Sequence, residues 1–243
     1  MGNPVVHWEA IGTDGDALRR FYGELFGWEI QSMEGPMDYG TLAPAPEGIG
    51  GGIGSSPEGG SKFITIYIAV PDLAEALSRV ESLGGKKVMD PFEIPGVVAF
   101  AQFADPQGNV VGIVRDDDVE APSPGVGAPV GWFEILGTDG AALRDFYGAA
   151  FGWEFKVAEE MDYGEVDTKA GRGISGGVGK SQGEPTTTVY AAVDDLAKYL
   201  ERAESLGGKA VLQPMTVGGG TEIAAFRDPQ DHLFGLYKHV HPH

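Results

Sequence analysis

The sequence predicts an α+β fold made of two tandem domains, and two observations carry this prediction. First, the 243-residue chain contains one pattern twice: GTDGDALRRFYGELFGWE at 12–29 and GTDGAALRDFYGAAFGWE at 137–154 agree at 14 of 18 positions. Second, each copy alternates short apolar segments typical of strands with two amphipathic segments typical of helices. Because such self-similarity indicates repeated structural units, we expect each copy to contain two βαβββ units.

The two copies are separated by DDDVEAPSPGVGAPV at 116–130. Its acidic residues, prolines and glycines leave no apolar face that a core needs. We therefore expect domain 1 at 1–115, a linker at 116–130 and domain 2 at 131–240.

In the first copy, apolar residues predict a strand at 5–11. Thr13 or Asp14 can cap the helix that follows, and Gly27 is expected to end it. Two short strands, separated by proline and glycine residues, are expected at 39–43 and 51–53.

The second unit of the first copy begins with an apolar strand at 63–70. A helix is predicted at 72–83, with Gly84 and Gly85 as its end. The inward positions of this helix are Leu73, Leu77, Val80 and Leu83. Two further strands are expected near 97–103 and 110–114.

Composition excludes several classes of function. Seventeen Lys and Arg against 36 Asp and Glu give a formal charge of −19, which repels phosphate backbones and anionic membranes. We therefore expect no nucleic-acid partner and no membrane partner. The chain has no cysteine, which excludes disulfides and cysteine-bound metals. Its apolar runs have strand length rather than the ~20 residues that span a bilayer, and no leader pattern precedes them, so a cytoplasmic protein is expected.

The characteristic motifs are TDxxALRxFYGxxFGWE and LGGK in both copies, the helix openings Val-Pro-Asp-Leu and Val-Asp-Asp-Leu, and the closing DPQGN of the first copy, of which the second copy keeps DPQ. In these motifs the chain resembles the vicinal oxygen chelate superfamily of glyoxalase I, bleomycin-resistance proteins and extradiol dioxygenases. The resemblance covers nearly all of both copies and is strongest to tandem, two-domain glyoxalase-like proteins of actinobacteria. It implies that the sheets of paired units curve into a cup that holds a small ligand or a metal.

The resemblance also implies where metal ligands would lie. The first position, on the first strand, holds His7 in one copy and Trp132 in the other. Two further positions map to residues without a metal-binding side chain: Gly112, Gly235, Thr65 and Thr188. The glycine-rich fourth strands contain no carboxylate. Because one imidazole does not hold a catalytic metal, no cofactor is expected, with His7 the only retained ligand of the family type. The alternative is a divalent ion such as Ni, Zn or Mn whose ligands lie elsewhere.

The remaining histidines suggest no site. His232 is expected in a solvent-facing turn, and His239, His241 and His243 in an exposed tail that can bind nickel or zinc in vitro. For His7, the structural alternative is a buried histidine that makes one hydrogen bond.

Alternation along the first strand places His7 and Glu9 on one face, with Trp8 on the other. Trp132 and Glu134 are the corresponding residues of the second copy. If this face lines the cup, each glutamate points inward, where a carboxylate is costly unless it is paired, hydrated or functional. It could bind a cationic or hydroxylated ligand, or act as a general base. The alternative is a structural hydrogen bond at the sheet rim.

Four tyrosines complete the candidate set. Tyr39 and Tyr163 each begin a strand, and Tyr67 and Tyr190 share the face of the family's ligand position. Trp28 and Trp153 are expected to seal helix against sheet. The candidate ligand-binding residues are His7, Glu9, Tyr39, Tyr67, Trp132, Glu134, Tyr163 and Tyr190, and the catalytic candidates are Glu9 and His7.

Three hypotheses follow. The first is a glyoxalase- or bleomycin-resistance-like protein that binds a small organic ligand without the full metal set. The second is a lyase or isomerase, either metal-independent with Glu9 or His7 as base, or a metal-dependent glyoxalase-like enzyme. The third is that one copy only completes the fold of the other. The glycine-rich segments precede no helix, which argues against phosphate binding, and close sheet packing explains them more simply. We expect the repeats to form an internal pseudo-dimer, with a homodimer as a further state.

Overall fold

A computed structural model describes residues 2–33, 38–56, 60–118, 124–181 and 183–239. Its elements in the first copy are β1 (Val5–Gly12), α1 (Gly15–Phe26), β2 (Ile30–Ser32), β3 (Tyr39–Leu42), β4 (Gly50–Ser55), β5 (Phe63–Val70), α2 (Leu73–Ser82), β6 (Lys86–Ile94), β7 (Val98–Ala104) and β8 (Val110–Arg115). Those in the second copy are β9 (Val130–Gly137), α3 (Gly140–Phe151), β10 (Glu154–Ala158), β11 (Tyr163–Asp167), β12 (Ser175–Lys180), β13 (Thr186–Ala192), α4 (Leu196–Ser205), β14 (Lys209–Val217), β15 (Thr221–Arg227) and β16 (Leu233–His239).

Each copy contributes one eight-stranded sheet. The strand orders are β2-β3-β4-β1-β5-β8-β7-β6 and β10-β11-β12-β9-β13-β16-β15-β14. Strands β5 and β8, β13 and β16, and β9 and β12 pair in parallel, and the outer strands pair antiparallel. The predicted α+β fold of two tandem domains, each containing two βαβββ units, is confirmed.

The first helix of each copy begins and ends as its sequence predicts. Asp14, rather than Thr13, caps α1: its carboxylate accepts a hydrogen bond from the backbone N–H of Ala17 at 2.9 Å. Gly27 ends the helix in the left-handed region at φ 72°, which glycine adopts without steric cost. The inner face of α1 buries Leu18, Phe21, Tyr22, Leu25 and Phe26.

Two edge strands of the first copy, β2 and β6, were not predicted. Strand β2 has three residues, and β6 is exposed along most of its length, contains Pro91 and has two register shifts against β7. Such edges lack the period-2 apolar pattern that marks a half-buried strand. The inward orientation predicted for Leu83 was wrong: the residue is 38% exposed because α2 ends at Ser82 and Gly84 turns the chain at φ 93°.

The chain divides into two compact units that cut across the repeats. Unit 1 comprises Met1–His7, Thr65–Ala121 and Trp132–Thr187, and unit 2 comprises Trp8–Ile64, Pro122–Gly131 and Thr188–His243. In unit 1, α2 of the first copy packs near α3 of the second, whereas in unit 2, α1 packs near α4. Each unit therefore joins one half of the first copy with one half of the second.

The two repeated motifs GTD and DPQ are partners within each unit. In unit 2, the Gln230 side-chain oxygen accepts from the backbone N–H groups of Thr13 and Asp14 at 2.6 and 3.2 Å. Its amide nitrogen donates to the Asp14 carbonyl at 2.7 Å. In unit 1, Gln107 makes the same bonds to the backbone N–H and carbonyl of Asp139 at 3.0 and 2.7 Å. The glutamine of one copy thus hydrogen-bonds the backbone N–H and carbonyl groups just before the first helix of the other copy.

In each unit a buried aspartate of one copy also bonds a tyrosine of the other copy. In unit 2, Asp228 accepts hydrogen bonds from the Tyr22 hydroxyl at 2.9 Å and from the backbone N–H of His232 at 3.0 Å, and it lies 2.7 Å from His232 Nδ1. In unit 1, Asp105 accepts from Tyr147 at 3.1 Å and from the Asn109 amide at 2.9 Å. Burial and the neighbouring carboxylate raise the pKa of both tyrosines well above its usual value.

The prediction that His232 faces solvent was wrong. The residue is 5% exposed, and its Nε2 lies 2.8 Å from the Ile11 carbonyl oxygen while Nδ1 faces Asp228. The sequence indicates that His232 lies in a turn, but it does not show which other element of the fold covers that turn.

Trp28 and Trp153 pack as predicted. Both are buried, and their indole N–H groups donate to the carbonyls of Ala128 at 2.8 Å and of Asn3 at 2.7 Å. They are core residues with a satisfied polar end.

No helix among the described residues is both long enough and apolar enough to cross a membrane.

Candidate functional site

In the second copy, three of the predicted site residues form one cluster. The Tyr163 hydroxyl donates to a carboxylate oxygen of Glu134 at 2.8 Å, and the Trp132 side chain lies near the Tyr163 hydroxyl. Trp132 and Glu134 are half-buried, whereas Phe133 between them is fully buried. Desolvation, and then the charge of Glu134, raises the pKa of Tyr163 far above its usual value, so the phenol stays protonated and donates.

The first copy repeats the tyrosine–glutamate pair. The Tyr39 hydroxyl donates to a carboxylate oxygen of Glu9 at 2.6 Å, and both residues are half-buried. Burial along β1 alternates as expected: Trp8 and Ala10 are fully buried, and Glu9 lies on the opposite face. In both copies, therefore, a glutamate on the less buried face of the first strand accepts a hydrogen bond from a tyrosine hydroxyl.

Glycines in β4 and β12 make room for these pairs. A Cβ at Gly52 would lie 1.7 Å from the Tyr39 hydroxyl oxygen, and a Cβ at Gly177 would lie 1.7 Å from that of Tyr163. Gly177 pairs directly with Glu134 across the parallel strands, so the tyrosine crosses over the glycine to reach the carboxylate. Close packing, as predicted, accounts for these glycines.

A helix arginine holds the turn before each tyrosine. Arg144 in α3 donates to the Asp162 carboxylate at 2.9 Å and to the Asp162 carbonyl at 3.0 Å. In the first copy, Arg19 in α1 pairs with Asp38. The Arg of the LRxFYG motif thus positions the Asp-Tyr-Gly segment that carries the site tyrosine.

His7 lies beside the second half of the first-copy sheet, within unit 1. Its imidazole ring meets Tyr67 edge-on, with ring centroids 5.7 Å apart, and the Tyr67 hydroxyl accepts a hydrogen bond from the Gln102 amide at 3.0 Å. The Tyr67 ring covers Gly112, where a Cβ would lie 2.3 Å from it. Desolvation lowers the pKa of His7 to about 4, so the imidazole is neutral at pH 7.

This pKa makes stability depend on pH. Between pH 6.5 and 4 the unfolded chain binds a proton at His7 that the folded chain does not, so the free energy of unfolding falls as the pH falls. We expect His7→Gln to remove about 2 kcal/mol of this loss between pH 7.5 and 5. Urea unfolding of both proteins at the two pH values measures it, since all other titrating groups are shared. A variant-to-parent difference that does not change with pH would contradict the assignment.

The residues that the resemblance assigns to the family's other metal-ligand positions make other contacts. The hydroxyls of Thr65 and Thr188 are buried and donate to the carbonyls of Val110 at 2.8 Å and of Leu233 at 2.6 Å. Gly112 and Gly235 have no ligating side chain and lie under the rings of Tyr67 and Tyr190. Over the described ranges, no group of three or more His, Cys, Asp or Glu side chains is arranged to hold a metal ion.

The structure thus joins the predicted residues in three groups: Glu9 with Tyr39, Trp132 with Glu134 and Tyr163, and His7 with Tyr67. Tyr190 is buried over Gly235 in unit 2.

Sequence reasoning missed Gln102, Phe100 and Phe92. The first two lie at alternate positions of the predicted strand 97–103, which was the available signal, and Phe92 lies in the unpredicted β6. Predictions for His241, His243 and the His239 side chain fall outside the described residues.

Comparison with known proteins bears on both copies. Residues 11–114 match the family model described as "Glyoxalase-like domain", and residues 130–236 match the model for the "Glyoxalase/Bleomycin resistance protein/Dioxygenase superfamily".

Similar proteins align over almost the whole chain. The anthracycline biosynthesis protein DnrV of Streptomyces peucetius is 31% identical, with 94% of this chain and 91% of that protein covered. A putative glyoxylase, CFP32, of Mycobacterium tuberculosis is 27% identical over 93% of this chain and 91% of that protein.

Solved structures share the fold at low identity. The Mn(II)-bound glyoxalase from Novosphingobium aromaticivorans has a TM-score of 0.70 and 14% identity, covering 99% of this chain and 82% of that one. Homoprotocatechuate 2,3-dioxygenase from Brevibacterium fuscum has a TM-score of 0.67 and 14% identity, covering 100% and 82%. With its two family domains in tandem and a relative similar over its length, the chain belongs to the glyoxalase/bleomycin resistance protein/dioxygenase superfamily, the vicinal oxygen chelate superfamily that its repeats resemble.

Proposed function

We propose that this protein binds a small organic molecule on the faces that carry the Glu9–Tyr39 and Glu134–Tyr163 pairs, and that it does so without the family's metal set. The observation that carries the proposal is the pair itself, built twice, with a glycine and an arginine dedicated to it in each copy. The positions that the resemblance assigns to metal ligands are occupied by threonines and glycines. The threonine hydroxyls donate to backbone carbonyls, and the glycines are covered by tyrosine rings.

The pair has the chemistry of a recognition site. A half-buried carboxylate is costly to keep unless it is hydrogen-bonded, and the tyrosine supplies one such bond and fixes its orientation. A carboxylate so oriented accepts hydrogen bonds from hydroxyl or amine groups of a ligand, and charged acceptors make the stronger bonds. The formal charge of −19 favours a ligand that is neutral or cationic.

The two sites differ in their neighbours. His7 precedes Glu9 by two residues on β1, whereas Trp132 occupies the corresponding place before Glu134 and lies near Tyr163. An indole in place of an imidazole changes both shape and hydrogen bonding, so we propose the His7 copy as the main binding site. The duplicated contacts of the two compact units also support our inference that the repeats form an internal pseudo-dimer, with a homodimer as a further state.

The second candidate function is metal-independent proton transfer, as in an isomerase or lyase, with Glu9 or His7 as the base. The observation that favours it is the Glu9 carboxylate, which the Tyr39 hydroxyl orients through a 2.6 Å hydrogen bond on the same face of β1 as His7. In that case the bound molecule is converted, and conversion is lost in Glu9→Gln or His7→Gln.

Binding is tested on full-fold protein that ends at Lys238, so that the terminal histidines do not contribute metal. Elemental analysis comes first, followed by thermal-shift screening of neutral and cationic organic compounds and calorimetric titration of those that bind. We expect Glu9→Gln to weaken binding at the main site at least tenfold, and Glu134→Gln to weaken binding only at the second-copy site, since each change removes the charge and keeps the side-chain volume. Glu201→Gln, on the exposed side of α4, is the matched control and leaves affinity unchanged.

Two results would overturn the proposal. One is near-stoichiometric metal that is lost in His7→Ala, which would show that the ligand positions were mapped wrongly. The other is ligand affinity that is the same in both glutamate variants as in the parent. Mass spectrometry of the bound compound after incubation separates simple binding from turnover.

A further inference from the structure

We infer that the first-copy site takes a planar, multi-ring aromatic molecule, which lies along a strip formed by His7, Tyr67, Phe100 and Phe92. This inference rests on the proposed function, because it names the class of ligand for the same protein. The four residues, called the aromatic strip below, all belong to unit 1.

The strip is continuous. The ring centroids of His7 and Tyr67 are 5.7 Å apart, those of Tyr67 and Phe100 are 6.1 Å apart, and those of Phe100 and Phe92 are 5.9 Å apart. Each contact is edge-on, with ring planes at 70°, 72° and 76°. Three such steps extend over the length of a fused polycyclic ring system rather than of a single ring.

The strip leads from the interior to solvent. Tyr67 is 3% exposed, Phe100 is half-buried and Phe92 is 52% exposed. Around Tyr67 and Phe100 the face is apolar, with Ala69, Val114 and Val98 packed beside them. The alternate residues of β7, Ala101 and Phe103, are fully buried on the other face of the strand. A large aromatic side chain half in solvent, at the end of an aromatic row, is a surface on which another aromatic ring packs favourably.

The polar groups of the strip are uncharged. The Gln102 amide donates to the Tyr67 hydroxyl at 3.0 Å, and its second N–H can donate to a carbonyl or hydroxyl oxygen on a ring. A row of neutral aromatics with an amide and a phenol fits an oxygenated aromatic compound and disfavours an ionic one.

The second copy does not repeat the strip. In the first copy Phe92 pairs with Phe100, and in the second Met215 pairs with Ile223. Gln102 pairs with Gly112, whereas Ala225 pairs with Gly235. Strand register thus places aliphatic residues where the first copy has two phenylalanines, and an alanine where it has the glutamine. Cross-strand packing alone is satisfied by either set, so the aromatic set is specific to the first copy.

The experiment uses the full chain and a neutral tricyclic probe, 1,4-dihydroxyanthraquinone, followed by its fluorescence. The variant Phe92→Met/Phe100→Ile gives the first copy the residues of the second. We expect it to weaken probe binding at least tenfold, while Met215→Leu/Ile223→Val, the matched change in the second copy, leaves affinity within twofold. Because Phe92 is half exposed, Phe92→Met alone keeps the fold and is expected to give a smaller loss of the same sign.

Three results would overturn the inference. The first is that the parent protein does not bind the probe, and the second is that the parent and the Phe92→Met/Phe100→Ile variant bind it with equal affinity. The third is that the parent is a dimer, the variant is a monomer, and neither of them binds the probe. If other organic compounds still bind with dependence on Glu9 or Glu134, the proposed function stands and only the ligand class falls. If the strip variants weaken binding and both glutamate variants do not, the aromatic ligand stands and the role of the carboxylates falls.

Discussion

A fragment that contains only the first copy, residues 1–115, is expected to associate as a homodimer instead of folding as a monomer. Unit 2 draws about half of its chain from Thr188–His243, which the fragment lacks. Without that part, the Tyr22 hydroxyl loses Asp228 and the chain before α1 loses Gln230. The inner face of α1 would also lose its apolar partners, including Phe234, whose ring lies 5.2 Å from Tyr22.

The homodimer is expected because the first copy contains the equivalents of the lost partners. Asp105 and Gln107 play for Tyr147 and Asp139 the roles that Asp228 and Gln230 play for Tyr22 and Asp14. A second fragment can therefore supply them. Light scattering with size-exclusion chromatography measures the mass, and Asp105→Ala in the fragment is expected to abolish the dimer. A monomeric fragment with a cooperative unfolding transition would show that one repeat is self-sufficient.

Replacing Asp228 by alanine is expected to lower the free energy of unfolding of the full chain by about 3–5 kcal/mol. The carboxylate serves four groups that are buried or half-buried: the Tyr22 hydroxyl, His232 Nδ1, and the backbone N–H groups of Gln230 and His232. Removing it leaves these groups without a partner in an apolar interior, and an unsatisfied buried donor costs more than a hydrogen bond contributes.

Chemical denaturation of Asp228→Ala and of the parent measures this loss. Asp105→Ala is the equivalent change in unit 1, and Asp145→Ala, at an exposed position of α3, is the control, expected to stay within about 0.5 kcal/mol. His232→Asn copies Asn109 of the first copy, which donates to its aspartate, so it is expected to cost less than Asp228→Ala. A loss below about 1 kcal/mol in Asp228→Ala would show that water replaces the carboxylate.

Much of the local structure could be predicted from the sequence because its causes lie within a few residues. Asp14 caps α1 with its own side chain, and Gly27 ends it in a conformation that glycine favours. The alternation of β1 places Glu9 opposite Trp8, and the repeat predicts that the helices and strands of one copy recur in the other. From these features the sequence predicts the fold class and the two-copy organisation. It also names the glutamates and tyrosines of the candidate site, but as individual residues and not as hydrogen-bonded pairs.

The partners of those residues depend on strand order and register, which no local pattern contains. Tyr39 reaches Glu9 only because β3, β4 and β1 are neighbours and because Gly52 lies between them. Phe92 joins Phe100 through a pairing with two register shifts, in a strand whose exposure removes its periodic signal. The local sequence of His232 predicts an exposed turn, and only the fold shows that the Ile11 carbonyl of β1 lies against its ring.

What the sequence by itself determined is therefore the content of each copy: its elements, its caps and the face on which its polar residues lie. What only the tertiary structure decided is which half of one copy packs with which half of the other. Because the repeats are so similar, α1 finds an equivalent aspartate and glutamine in both copies, at Asp105 and Gln107 or at Asp228 and Gln230. The choice of the second pair depends on long-range packing in unit 2, and two near-identical partners in one chain cannot be distinguished by their local sequence.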